Sequence, residues 1–97
     1  MEKLYYVYMF ASRRNGTLYT GVTSDIQGRT WNHRNDVMDG FTKKYGVHIL
    51  VWFEAHGDAI AAIAREKQVK KWNRAWKIRL IEKKNSGWND LYEKFSA

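Results

Sequence analysis

Apolar residues along this chain come first in strand-like runs and later at helical spacing. Leu4-Tyr5-Tyr6-Val7-Tyr8-Met9-Phe10 is a run of large β-formers without a charge. Two-residue periodicity puts Tyr6, Tyr8 and Phe10 on one face and Tyr5, Val7 and Met9 on the other. Both faces are bulky, which predicts a central strand covered on both sides. Arg13-Arg14-Asn15-Gly16 interrupts the run, and Thr17-Leu18-Tyr19-Thr20-Gly21-Val22 supplies a second strand. Asn-Gly between apolar runs predicts a hairpin with a type I′ turn, because both residues tolerate positive φ. Ser24-Asp25-Ile26-Gln27 then reads as a capping box, with Ser24 at the N-cap and Gln27 reaching back. The helix it opens turns Ile26 and Thr30 inward and sets Arg29 and His33 on one face, four residues apart. Gly28 inside it costs ~1 kcal/mol relative to alanine and leaves room for a close approach.

Beyond it, Asn35 to Gly40 reads as a loop, and Phe41-Thr42-Lys43-Lys44-Tyr45-Gly46 is basic and aromatic together. His48-Ile49-Leu50-Val51-Trp52-Phe53 predicts a third strand, apolar on both faces. Asp58 caps a helix in which Ile60, Ile63 and Ala64 form an apolar stripe expected to face the core. Lys67 and Lys71 fall on that same stripe, so the helix must end, bend or leave the core near them. A further amphipathic segment, Trp76 to Lys83, buries Ile81 with Ile78 or Leu80. Asn85-Ser86-Gly87 stops it, and Trp88, Leu91, Tyr92 and Phe95 are expected to clasp the core. No internal repeat, low-complexity tract or linker divides the chain, so residues 1–97 read as one α/β (α+β) domain. Its core is a small, mainly antiparallel three-stranded sheet flanked by helices.

Ninety-seven residues with five Trp, six Tyr and four Phe can build a core without staples. The absence of cysteine removes disulfides, thiolate catalysis and Cys-ligated zinc, and suits a cytoplasmic protein. His33, His48 and His56 have no ligand spacing on a common element, which argues against zinc. No glycine loop of nucleotide-cradling type occurs. Charge-free runs fall far short of the ~20 residues of a membrane span, and the N-terminus does not read as a signal peptide. Seventeen Lys and Arg against ten acidic residues give a net charge of +7, which points to nucleic acid as partner. Lys67, Lys70, Lys71, Arg74 and Lys77 keep three- and four-residue spacings, a basic ridge. With Lys43 and Lys44 they have the right charge for phosphate contacts, and Tyr45, Trp72 or Trp76 could stack on unpaired bases. The plainer reading is a solubilised helix whose tryptophans are core.

Tyr6-Val7-Tyr8, then Tyr19-Thr20-Gly21, then Arg29 and His33 on the following helix, with Glu66 in a later one, resembles the GIY-YIG nuclease superfamily. The similarity to its small stand-alone bacterial members of uncharacterised function covers nearly the whole chain. Tyr6 stands where the first motif opens with glycine, and Val22 where some relatives have lysine. The resemblance implies a metal-dependent endonuclease hydrolysing phosphodiester bonds in DNA, with RNA not excluded, in repair or recombination. It implies Mg²⁺ or Mn²⁺ held by Glu66, a phosphate clamp at Arg29, and Tyr8, Tyr19 and His33 acting on water and phosphate. Tyr6, Gly21 and a late asparagine, Asn73 or Asn85, are further active-site candidates.

Residue chemistry gives each candidate a second reading. Glu66 lies beside Ala59, Ala62 and Ile63 on a helical wheel, and periodicity slightly favours a plain ion pair with Lys70, worth ~0.5 kcal/mol. The planar fork of Arg29 suits bidentate phosphate contact, although a lone helix arginine is more often solvated. A tyrosine with a pKa near ~10 is a poor base unless a cation lowers it. Two other functions stay open: a nucleic-acid-binding module with little turnover, and a subunit whose protein partner supplies specificity.

Overall fold

The computed structural model describes residues 3–35 and 41–94. Strands β1 (Tyr5–Ala11), β2 (Leu18–Thr23) and β3 (Ile49–His56) form one antiparallel sheet in the order β2-β1-β3. The helices are α1 (Ile26–Arg34), α2 (Phe41–Tyr45), α3 (Ala59–Lys71) and α4 (Arg74–Lys84), and a 3₁₀ turn spans Leu91–Lys94. This is the expected α+β architecture. β1 is central because both of its faces are apolar, and Val7, Met9, Phe10 and Ala11 are completely buried.

Each face of β1 anchors its own cluster. Val7, Met9 and Ala11 pack with Val51, Trp52, Ala62, Val69, Ile81 and Trp88, under α3 and α4. Tyr8 and Phe10 pack with Ile26, Val47 and Leu50, on the α1 side. Met9 pairs with Trp52 but Phe10 with Leu50, so Val51 is an extra residue in the ladder. That bulge turns Val51 to the same cluster as Trp52, which strict alternation would forbid. No helix among the described residues is long and apolar enough to cross a membrane.

Local chemistry departs from the sequence expectations in several places. The hairpin connection runs from Ser12 to Thr17, with Ala11 paired to Leu18. Its turn is Arg13 to Gly16, closed by Gly16 N–H donating to the Arg13 carbonyl at 2.9 Å. Asn15 takes φ 59° and Gly16 is not at positive φ, so it is not the two-residue type I′ turn. Gly16 is needed for room: a Cβ there would stand 2.8 Å from Arg13 Cγ. Asp25, not Ser24, caps α1, its carboxylate accepting from the Gly28 N–H at 3.0 Å. Asn35 closes α1 as its C-cap, and the rest of the loop expected to Gly40 lies outside the described residues. β3 begins at Ile49 and runs on to His56, because Glu54, Ala55 and His56 still find partners along Tyr5 to Val7.

The largest correction concerns α3. Ile60 is 77% exposed, and Ile63 and Ala64 are exposed too, while Ala62, Glu66 and Val69 face inward. The inward set keeps the helical spacing i, i+4, i+7 as well as the isoleucines do. It places small Ala62 against the sheet and carries a glutamate, which hydrophobicity counting discards. α3 ends at Lys71, Trp72 turns extended, and Asn73 caps α4 by accepting from the Trp76 N–H at 2.9 Å. Asn73 is therefore not a continuation of the Glu66 face. In α4 Ile81 is buried and both Ile78 and Leu80 are half-buried. Of the terminal clasp, Trp88 is buried and donates to Glu82 at 2.7 Å. Leu91 packs on the α1-side cluster, and Tyr92 lies under the Arg34 guanidinium. Phe95 lies outside the described residues.

Candidate active site

Tyr8 projects from the central strand onto the α1 side, opposite Gly21 across the β1–β2 ladder. A Cβ on residue 21 would stand 2.6 Å from Tyr8 Cζ. The ring therefore lies over the space that any other residue would fill at 21, and the glycine of the second motif is a condition for the tyrosine of the first. Around that ring stand Phe10 at 5.1 Å, His33 at 6.2 Å and Tyr19 at 6.4 Å between centroids. Tyr19 and His33 are 5.5 Å apart. Two strands and α1 thus bring Tyr8, Tyr19 and His33 together. Tyr6, on the same face of β1, packs edge-on against Phe53.

His33 is 2% exposed and stacks flat on Phe10, at 3.8 Å and 11°. Its Nδ1 lies 3.1 Å from the Val47 carbonyl oxygen. A carbonyl only accepts, so Nδ1 carries the proton and Nε2 keeps a lone pair. Nε2 is buried and has no hydrogen-bond partner in the protein. Burial above all takes the imidazole from its ordinary 6.5 down to about 4. The Val47 bond pulls the other way, and Arg29 and His48 add to the fall. His33 is neutral at physiological pH, with an unfilled acceptor beside two tyrosines.

The Tyr8 hydroxyl is pushed well above the ordinary tyrosine range, first by burial, then by Tyr19, with Arg29 opposing and Glu66 adding. Arg29 and Glu66 are thus near enough to act electrostatically on this one hydroxyl. Arg29, one turn ahead of His33 on α1, is half-buried and lines an open cleft of about 360 Å³ with Thr23, Asp25, Gly28, Trp31 and Asn32. Glu66 on α3 is 8% exposed, its carboxylate 3.1 Å from the Lys70 ammonium. The expected i,i+4 pair is present. Among the described residues no three His, Asp or Glu side chains gather into a metal-holding group. A divalent cation here would take Glu66 from the protein and oxygens of water and phosphate otherwise, a coordination that Mg²⁺ accepts.

The remaining candidates separate. Asn73 is an exposed helix cap. Asn85 is 6% exposed, donates at 2.9 Å to the carbonyls of Val51 and Asn89, and accepts from the Asn89 N–H at 3.0 Å. Its amide is committed to tying the end of α4 to β3. The basic ridge is divided between two helices: Lys67, Lys70 and Lys71 on α3, Arg74 and Lys77 on α4. Arg74 donates at 2.6 Å to the carbonyls of both Asn15 and Gly16 and so holds the hairpin turn. Lys77 is half-buried, and burial, then Lys70 and Arg74, draw its pKa down. Lys70, Arg74 and Lys77 thus lie near one another, and Lys70 pairs with Glu66. Lys43 and Lys44 are exposed on α2.

Sequence reasoning missed the dependence of Tyr8 on Gly21; the register that pairs them was its signal. It also missed Arg79 and Lys83, which share a face of α4 with Trp76 in a cleft that Trp72 closes from the α3–α4 break.

The family model described as the GIY-YIG catalytic domain matches residues 4–79, a span that includes every member of the cluster. A UPF0213 protein of Staphylococcus haemolyticus is 30% identical over 80 residues, covering 82% of this chain and 96% of its own. A UPF0213 protein of Clostridium perfringens is 34% identical over 80 residues, covering 82% and 85%. One of Haloquadratum walsbyi is 32% identical over 82 residues, covering 84% and 91%. The solution NMR structure of a UPF0213 protein of Bacillus halodurans aligns with TM-score 0.56 at 28% identity, over 90% of this chain and 92% of that one. The fold and the family resemblance read from the sequence both hold.

Proposed function

Since the chain belongs to the GIY-YIG catalytic domain family, whose activity is of nuclease type on nucleic acid, we propose that it is a metal-dependent endonuclease hydrolysing phosphodiester bonds in DNA. What supports this reading is the packing of the Tyr8, Tyr19 and His33 rings against one another, with Arg29 one turn ahead of His33 on α1 and the Arg29 and Glu66 charges felt by the Tyr8 hydroxyl.

Arg29 clamps non-bridging phosphate oxygens with its planar fork. His33, neutral and buried, packs against Tyr8 and Tyr19 and holds their rings toward the attacking water. Tyr8 keeps its proton in the free protein and orients that water, together with Tyr19. Water oxygen bonds to phosphorus and gives up a proton to solvent, the bond to the leaving sugar oxygen breaks, and that oxygen takes up a proton from solvent. Glu66 would hold Mg²⁺ or Mn²⁺, which when bound would supply Lewis acidity toward the phosphate and lower the cost of deprotonating a tyrosine or water. The phosphate contacts are supplied by the exposed lysines of α2 and α3. The substrate is a nick or branch arising in repair or recombination, read by its structure, or one that a protein partner selects.

The test is cleavage of nicked, branched and intact duplex DNA with Mg²⁺, with chelator, and with Glu66→Gln. One observation favours a second reading: the Lys70 ammonium already sits on the Glu66 carboxylate, where a cation would bind. Binding without cleavage of any substrate would select a nucleic-acid-binding module.

A further inference from the structure

Trp72, at the break between α3 and α4, and Trp76, one turn into α4, meet edge to face at 5.9 Å and 81°. With Arg79, Leu80 and Lys83 they line a cleft of about 240 Å³. The positions 76, 79, 80 and 83 recur at helical spacing, so one face of α4 carries the wall apart from Trp72. Trp76 is 51% exposed. A monomeric protein gains nothing from holding an indole in water beside an apolar floor, and a surface feature of this kind marks a binding site.

Trp72 is held from behind. The Arg65 guanidinium lies 5.2 Å from its ring centroid and is itself fixed by Glu54 at 3.0 Å and by Gln68 at 2.8 Å. The aromatic wall is therefore ordered before anything binds, which removes much of the entropy cost of binding. The charged residues lining the cleft, Arg79 and Lys83, are both positive, and Lys70, Arg74 and Lys77 lie near one another about the α3–α4 break. Glu82, the acidic residue of this stretch of α4, is engaged by the Trp88 indole N–H at 2.7 Å.

We propose that this cleft is a second nucleic-acid site, in which an unpaired base stacks on Trp76 against Trp72 while Arg79 and Lys83 hold its flanking phosphates. The site takes single-stranded nucleic acid, because a base within a duplex cannot present its face to an indole. Its role is to hold a frayed or displaced strand on the α4 side of the sheet, the face opposite the one that carries Tyr8. The proposal rests on the nuclease reading for its purpose but not for its test, since stacking is read by binding alone.

The experiment uses Glu66→Gln protein with chelator, titrated with dT₁₂, rU₁₂ and a blunt duplex while tryptophan fluorescence is followed. Binding of both single strands, with quenching, is expected, because stacking does not depend on the sugar. Trp76→Ala should weaken single-strand binding about tenfold or more, with duplex binding unchanged, and Trp76→Phe should restore most of it. Arg79→Ala/Lys83→Ala should lower the single-strand salt slope by about 1.4, or ~0.7 per contact. Equal loss on duplex and single strand, or no loss at all, overturns the proposal. So does a dimer that Trp76→Ala turns into a monomer, which would give the cleft to a second copy of the chain. A protein that binds single strands in this way but cuts nothing refutes the nuclease reading alone, and one that cuts but does not bind them refutes this site alone.

Discussion

The ring of Tyr8 occupies the space above Gly21: a Cβ at residue 21 would meet Tyr8 Cζ at 2.6 Å. Neither backbone can retreat, because the two residues are paired across the β1–β2 ladder. Gly21→Ala must therefore displace the tyrosine, at about 1–3 kcal/mol for an overpacked site. Tyr8→Ala removes the obstruction, so the double variant should be more stable than the sum of the singles by about 1 kcal/mol or more. Urea denaturation of the four proteins measures that coupling. Cleavage should stay lost in both single variants and in the double, since restoring room does not restore the hydroxyl.

Glu66→Gln should abolish cleavage, a loss of 100-fold or more on the order expected for a single electrostatic group, while melting temperature and DNA binding change little. The substitution keeps shape and removes the charge that holds Lys70 and a cation. Arg29→Ala should also abolish turnover. Undiminished cleavage in excess chelator, or by Glu66→Gln, would rule out the metal-dependent mechanism.

His33 should make stability fall in mild acid. The unfolded chain binds a proton on this residue near its ordinary 6.5, while the folded protein resists down to about 4. The stabilisation is complete above about 6.5, where His33 is neutral in both states. It is lost as pH falls through that interval, and amounts to at most ~3 kcal/mol. His33→Gln should flatten this part of the stability-against-pH curve, whatever it costs at pH 7. An unchanged slope in urea melts between pH 7 and pH 4 would show that the folded imidazole titrates normally.

The lysines of α3 and the arginine of α4 should differ in what they do. Lys70→Glu/Lys71→Glu should lower the slope of log affinity against log salt, by ~0.9 for each duplex phosphate contact removed. Arg74→Ala should act mainly on stability, by about 1 kcal/mol, because its guanidinium is spent on the carbonyls of the hairpin turn. A salt titration beside a thermal melt separates the two effects. An unchanged slope in the double lysine variant would move the binding surface to Lys43 and Lys44.

The sequence by itself determined the three strands, their central member, the helix carrying Arg29 and His33, and the family to which the chain belongs. Those rest on short-range signals: two-sided apolar runs, turn residues, caps and four-residue spacing, each set by neighbours in the chain. Tertiary structure decided which face of α3 turns inward. Ile60, Ile63 and Ala64 make a regular apolar stripe, yet Ala62, Glu66 and Val69 are the ones inside. The choice depends on how closely α3 can approach the sheet and on tolerating one carboxylate in the interface, neither of which a count of apolar residues registers. It also decided that Asp25 rather than Ser24 caps α1, because two adjacent capping residues offer the same chemistry and the path out of β2 selects between them. Long-range contacts withdrew Asn85 into the β3 connection and Arg74 onto the hairpin turn. A side chain's spacing tells which neighbours on its own helix it can meet, but its partner across the fold is set only when the elements pack.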